Sequence, residues 1–161
     1  MSAQKKLLAM LSLMLMTGST LAAQDGAESP DDLFMYATSL VGTRYHIGGA
    51  SPASGLDCSG FVRHVYLQTL HAELPHSALE MSRKGDAVEL ADLRSGDLVF
   101  FNSPQRPVSH VGIYLGEGRF IHASSSSTGD VMISSLQDPY WSKHFGGARR
   151  ILPPLVLVSQ P

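Results

Sequence analysis

Gly55-Leu56-Asp57-Cys58-Ser59-Gly60-Phe61 is the point where an irregular loop turns into a helix, and the fold class follows from what lies on its two sides. Upstream, residues 43–56 hold Gly48, Gly49, Pro52 and Gly55, a breaker-rich run expected to form an irregular loop. Before that run, Ser29, Pro30 and Asp32 announce a helix start. Leu33, Tyr36, Ala37, Leu40 and Val41 continue at helical spacing, and Gly42 stops the helix. Downstream, Cys58, Phe61, Val62, Val65, Tyr66 and Thr69 form one apolar stripe, the buried face of an amphipathic helix. Ser77 and Glu80 are the halves of a capping box for a short third helix that Gly85 ends. From there the period falls to two. Residues 98–101, 111–115 and 119–123 read as strands, with 131–133 and 147–151 as weaker ones. Helices first and strands afterwards make this an α+β chain, with N-terminal helices packed on a central antiparallel sheet.

The chain has 161 residues, 43% of them hydrophobic, enough for one domain to bury roughly two-thirds of the unfolded surface. A formal net charge of -2 gives no nucleic-acid footprint. Lys5 and Lys6 precede an uncharged apolar run at residues 7–16, and small residues follow to Ala23. That order describes a secretory signal peptide cut after Ala22 or Ala23, leaving a flexible leader before the first helix. No cysteine lies near the cut, so a lipid-modified amino terminus is not expected. Export makes the single cysteine informative. In an oxidising compartment cysteines usually pair, and Cys58 has no partner in its own chain.

Cys58 opens a helix, where unsatisfied backbone N–H groups and the helix dipole favour a thiolate. A depressed thiol pKa is therefore expected, with Asp57 opposing it and needing another purpose: capping the helix or holding a cationic substrate group. Gly60 is expected to leave room for a substrate backbone, and the N–H of Cys58 to face a developing oxyanion.

A base must accompany the thiol. Of the seven histidines, His110 and His122 flank one hairpin, Ser109-His110-Val111-Gly112-Ile113-Tyr114-Leu115 and Arg119-Phe120-Ile121-His122-Ala123, joined by Gly116-Glu117-Gly118. A three-residue turn sets Leu115 opposite Arg119 and Gly112 opposite His122, which puts both histidines on one sheet face. A two-residue turn shifts the register by one and separates them. One histidine then contacts Cys58 while the other orients it. No zinc spacing and no Gly-x-Ser-x-Gly elbow compete with this reading, and neither cofactor nor metal is expected.

At these residues the sequence resembles the NlpC-type bacterial cell-wall peptidases, which are papain-like cysteine endopeptidases. The resemblance runs from Leu33 to Ile151 on Tyr45 with Gly48-Gly49, Asp57-Cys58-Ser59-Gly60-Phe61, Leu74-Pro75, Ser95-Gly96-Asp97-Leu98-Val99-Phe100-Phe101, Ser109-His110-Val111-Gly112-Ile113-Tyr114 and Phe120-Ile121-His122-Ala123. It implies a papain-like fold, Cys58 as nucleophile, His110 as general base and then acid, and His122 as the polar third member. It further implies Tyr45, Asp57 and Ser59 as a pocket for the free amine of a peptidoglycan stem peptide, with the bond between γ-D-glutamate and a diamino acid as the one cut. Two departures bear on substrate preference: Ile47 stands where relatives often have an aromatic, and His76 where they have an arginine. The expected layout is a signal peptide at 1–22, a leader at 23–30, the peptidase domain at 31–152 and a tail at 153–161. The protein is expected in the periplasm or cell-wall space, with a targeting or regulatory protein as a partner. An acyl or amide transferase using the same triad, and a silent wall-binding module, are the alternatives.

Overall fold

The computed structural model describes residues 30–125 and 129–151. The expected signal peptide, leader and tail, and the Ser29 cap, lie outside the described residues. Helix α1 spans Pro30–Ser39. A two-stranded ribbon, β1 (Ala50–Ser51) with β2 (Gly55–Leu56), leads into α2 (Cys58–Leu70), and α3 is the short turn Ala78–Met81. Then come β3 (Asp86–Val88), β4 (Leu98–Ser103), β5 (Arg106–Gly116), β6 (Arg119–Ala123), β7 (Val131–Ser135), α4 (Pro139–His144) and β8 (Phe145–Arg150). Six strands form one antiparallel sheet in the order β3-β8-β4-β5-β6-β7. The α+β class and the antiparallel sheet are those expected.

The Leu98-Val99-Phe100-Phe101 run of β4 is buried throughout because the sheet is covered on both faces. Leu98 and Phe100 point to one face, where Leu33 and Ala37 of α1 and Phe61, Val62, Val65 and Tyr66 of α2 join Val111 and Ile113. Val99 and Phe101 point to the other, where Phe120 and Ala148 meet Trp141 of α4 and Phe145. Each side chain fully removed from water on these faces contributes about 1.5–3 kcal/mol. A bidentate pair anchors the edge: Arg150 Nε and its Nη2 donate to the two oxygens of Asp97 at 2.8 and 2.7 Å, with Asp97 only 2% exposed.

The caps are those of the sequence. The Asp57 carboxylate accepts from the Gly60 N–H at 2.7 Å at the start of α2, and the Ser77 hydroxyl accepts from the Glu80 N–H at 3.3 Å at the start of α3. The β5–β6 turn differs from expectation. Gly116, not Leu115, faces Arg119, so the turn has two residues, Glu117 and Gly118, both with left-handed φ (53° and 72°). Such a turn alone puts the two histidines on opposite faces. A bulge at Leu115 inserts one residue between Gly116↔Arg119 and Tyr114↔Phe120 and restores the register, so that Ile113 faces Ile121.

Candidate active site

The ladder between β5 and β6 runs to Ile113↔Ile121. Beyond it the strands carry His110 and His122 on the same face, with His110 Nε2 2.8 Å from His122 Nδ1. On the far side His122 Nε2 lies 2.9 Å from Ser134 Oγ of β7. Trp141 stacks on the His110 ring, centroids 5.5 Å apart and planes 28° from parallel. His122 is completely buried. Gly112, between them in register, lets the strands close: a Cβ there would stand 2.8 Å from the Ile121 carbonyl oxygen and 3.2 Å from the Cβ of His122.

Cys58 enters from the helical side, half-buried at the first turn of α2. The backbone N–H of Val111, the residue after His110, lies close enough to its sulfur to favour the thiolate. No hydrogen bond joins the sulfur to the His110 ring. Burial pushes the Cys58 thiol up; the Val111 N–H opposes this, the Asp57 charge adds to it, and the N–H groups of Ser59 and Cys58 itself oppose it. The net direction is upward, the reverse of the depression expected from the helix terminus. Helix-end partial charges are worth about 0.3–1 kcal/mol, too little to offset the loss of water around a thiolate. Burial also lowers His110, to about 4, and burial together with the charge of His110 lowers His122 further. The resting pair is thus a neutral thiol and a neutral imidazole.

An expected result follows for the free protein. Because the thiol pKa lies above its usual value and His110 stays neutral above about pH 4, alkylation of Cys58 should accelerate steadily from pH 6 to beyond pH 9, without an acidic plateau. Iodoacetamide rates against pH test this. Rapid, pH-independent alkylation between pH 5 and 7 would mean a preformed thiolate–imidazolium pair instead.

Asp57 is the hub of the opposite bank. Its Oδ1 accepts from Gly60 N–H (2.7 Å) and Ser59 O–H (3.1 Å) and meets His76 Nε2 at 2.9 Å, while Oδ2 accepts from the Gly48 N–H at 3.0 Å. Burial raises its pKa, but the Gly60 N–H, His76 and Ser59 outweigh this, and the carboxyl ends below its usual value. It stays ionised. Tyr45 shares the groove with Asp57, Cys58, Ser59 and His76; burial, then the charges of Cys58 and Asp57, raise its phenol. Of the six residues named from the sequence, Tyr45, Asp57, Cys58 and Ser59 line this groove, whereas His110 lines the neighbouring one and His122 is buried beside it. Gly60 serves another purpose than expected. A Cβ there would stand 2.0 Å from the Gly49 carbonyl oxygen, so the missing side chain admits the Gly48-Gly49 loop, not substrate.

Two contributors were not read from the sequence. Trp141 sits on α4, whose Asp138 cap and following Pro139 were the available signal. Ser134 lies on β7 one residue past the end of the expected strand. His76, noted above as a departure bearing on substrate preference, contacts Asp57 directly.

Comparison with known proteins places this geometry. Residues 42–150 match the NlpC/P60 family. The Escherichia coli K12 protein named murein DD-endopeptidase MepS/murein LD-carboxypeptidase is 46% identical over 111 residues, covering 69% of this chain and 57% of its own length. A gamma-DL-glutamyl hydrolase of Bacillus subtilis is 39% identical over 134 residues, covering 83% of this chain and 32% of its own. An NlpC/P60 family protein from Bacillus cereus superposes with a TM-score of 0.72 at 35% identity, over 78% of this chain and 41% of that one. The NlpC/P60 domain of the peptidoglycan hydrolase SagA gives 0.66 at 32%, over 76% and 99%. The chain thus spans 57% or less of the two curated relatives named here.

Proposed function

The chain belongs to the NlpC/P60 family, with its papain-like α+β fold, and on that premise we propose that it is an exported cysteine endopeptidase hydrolysing peptidoglycan stem peptides. The observation that carries this reading is the His110–His122 contact of 2.8 Å, with Val111, next to His110 on the same strand, turning its N–H towards Cys58. The printed names of the relatives, a murein endopeptidase and a gamma-DL-glutamyl hydrolase, support the substrate class. The bond proposed is that between γ-D-glutamate and a diamino acid. Action in the periplasm or cell-wall space, reached through the signal at residues 1–22, belongs to the same proposal.

Proton bookkeeping fixes the tautomers this chemistry needs. A neutral imidazole has one N–H. If His110 Nε2–H donates to His122 Nδ1, and His122 Nε2–H donates to Ser134 Oγ, then His110 Nδ1 is left bare to take the thiol proton. The sulfur then bonds the γ-carbonyl carbon, with the N–H of Cys58 donating to the oxyanion. His110 returns the proton to the leaving amine as the C–N bond breaks. Water, deprotonated by His110, finally cleaves the thioester. Contacts of this kind are often long before substrate arrives and tighten in the complex.

Digesting purified sacculi with the protein and weighing the fragments tests the reading. New amine ends at the diamino acid are expected, and Cys58→Ala should abolish them. Fragments carrying an added mass identify a transferase instead, and unchanged sacculi with retained binding a wall-binding module.

A further inference from the structure

Two cavities meet at the site. The first, about 480 Å³, holds Asp57 and Cys58; the second, about 740 Å³, holds His110, Trp141 and Tyr140. Only Arg106 and Ser109 line both. Cys58 lies along one cavity and His110 along the other, and Arg106 is the sole Lys or Arg along either among the described residues. Its guanidinium has no carboxylate partner among them.

The backbone supporting Arg106 is built at a cost. Ser103↔Arg106 and Phe101↔His110 are paired, so Pro107, Val108 and Ser109 bulge out against Asn102 alone. Val108 has φ 47°, a left-handed conformation in a β-branched residue, which costs about 1–3 kcal/mol. The Asn102 side chain holds it, Oδ1 accepting from the Val108 N–H at 2.9 Å. Bulges of this kind re-aim a side chain beside an active site.

We propose that Arg106 is a specificity residue: it binds the carboxylate that the substrate carries next to the scissile bond. This rests on the stem-peptide reading above. A γ-linked glutamyl residue fits it: cleavage through the side-chain amide leaves the α-carboxylate free close to the bond cut. Guanidinium–carboxylate pairs are the strong, oriented kind. Ser109, which lines both cavities and whose hydroxyl donates to the Phe101 carbonyl at 3.5 Å, is a second polar residue there.

The test compares L-Ala-γ-D-Glu with its α-amide, titrated calorimetrically into Cys58→Ala protein, alongside cleavage by the wild type of the two corresponding tripeptides. The acid should bind about 10- to 100-fold tighter than the amide, and adding Arg106→Gln should erase that preference by weakening the acid alone. In turnover, Arg106→Gln should raise KM for the acid with kcat nearly unchanged. Equal binding of acid and amide, or a variant that weakens both alike, overturns the inference even if both tripeptides are still cut. Arg106-dependent binding without cleavage leaves the inference standing and removes the endopeptidase reading. Binding of neither dipeptide overturns both.

Discussion

His110→Asn should reduce stem-peptide turnover by about 10²–10⁴-fold, whereas His122→Asn should stay within about tenfold of the wild type. The two residues touch at 2.8 Å, yet their tasks differ. His110 has to accept a proton from sulfur and deliver it to the leaving amine. A neutral amide has no basic site, so asparagine cannot stand in. His122 only has to accept the Nε2–H of His110 and keep the ring in place, and an amide oxygen does this. His122 is completely buried, so the shorter Asn also leaves a small void; unfolding midpoints recorded beside the kinetics separate lost stability from lost chemistry. Ser134→Ala, one step further along the chain of hydrogen bonds, should cost less again. A reversed ranking would mean that the two histidines exchange roles. Equal, near-wild-type rates would mean that neither takes part in proton transfer.

Acetylating the free amine of a short stem peptide should weaken cleavage by about 10- to 100-fold, expressed mainly in KM. An ionised carboxylate held below its usual pKa is the partner for an ammonium, and hydrogen bonds to charged groups are worth about 1.5–3 kcal/mol. Asp57 Oδ1 is already filled by Gly60, Ser59 and His76; Oδ2 meets only the Gly48 N–H and has a lone pair left. Asp57→Asn is the informative variant, since an amide oxygen still caps α2 at the Gly60 N–H while the charge is gone. It should raise KM for the free peptide towards that of the acetylated one and leave the fold intact. Equal rates on blocked and free peptides would remove the amine pocket, whatever the fate of the triad.

Helix α2, with Cys58 at its start, was legible because every local signal agreed: a cap at Asp57, an apolar stripe, and a breaker-rich loop before it. The strands β4 to β6 were legible for the same reason. The histidine pair was reached by a route other than the one foreseen. Sequence spacing pointed to a three-residue turn, and the chain uses a two-residue turn plus a bulge at Leu115, two departures whose effects on register cancel. Strand β3 has three residues and α4 six, too few for periodicity to register. That is why Trp141, the stacking partner of His110, went unread. The upward thiol shift was illegible in principle. It depends on how deeply the sulfur sinks against Val111, which is a property of packing and not of the helix start.

The contact between Gly49 and Gly60 also says where this enzyme can change over evolutionary time. The loop beside the proposed amine pocket is clamped onto the first turn of α2, with the Asp57 N–H donating to the Gly49 carbonyl at 3.0 Å. Lifting that loop to reshape the pocket also moves the residue that carries the sulfur. One bank of the cleft is therefore welded to the nucleophile and inherits its constraints. The other bank ends in a hairpin tip at Pro104 and Gln105, exposed and joined to the sheet through Ser103 and Arg106. Drift in substrate choice should accumulate there, and a designer seeking a new specificity should leave the glycines alone and lengthen or recharge that tip.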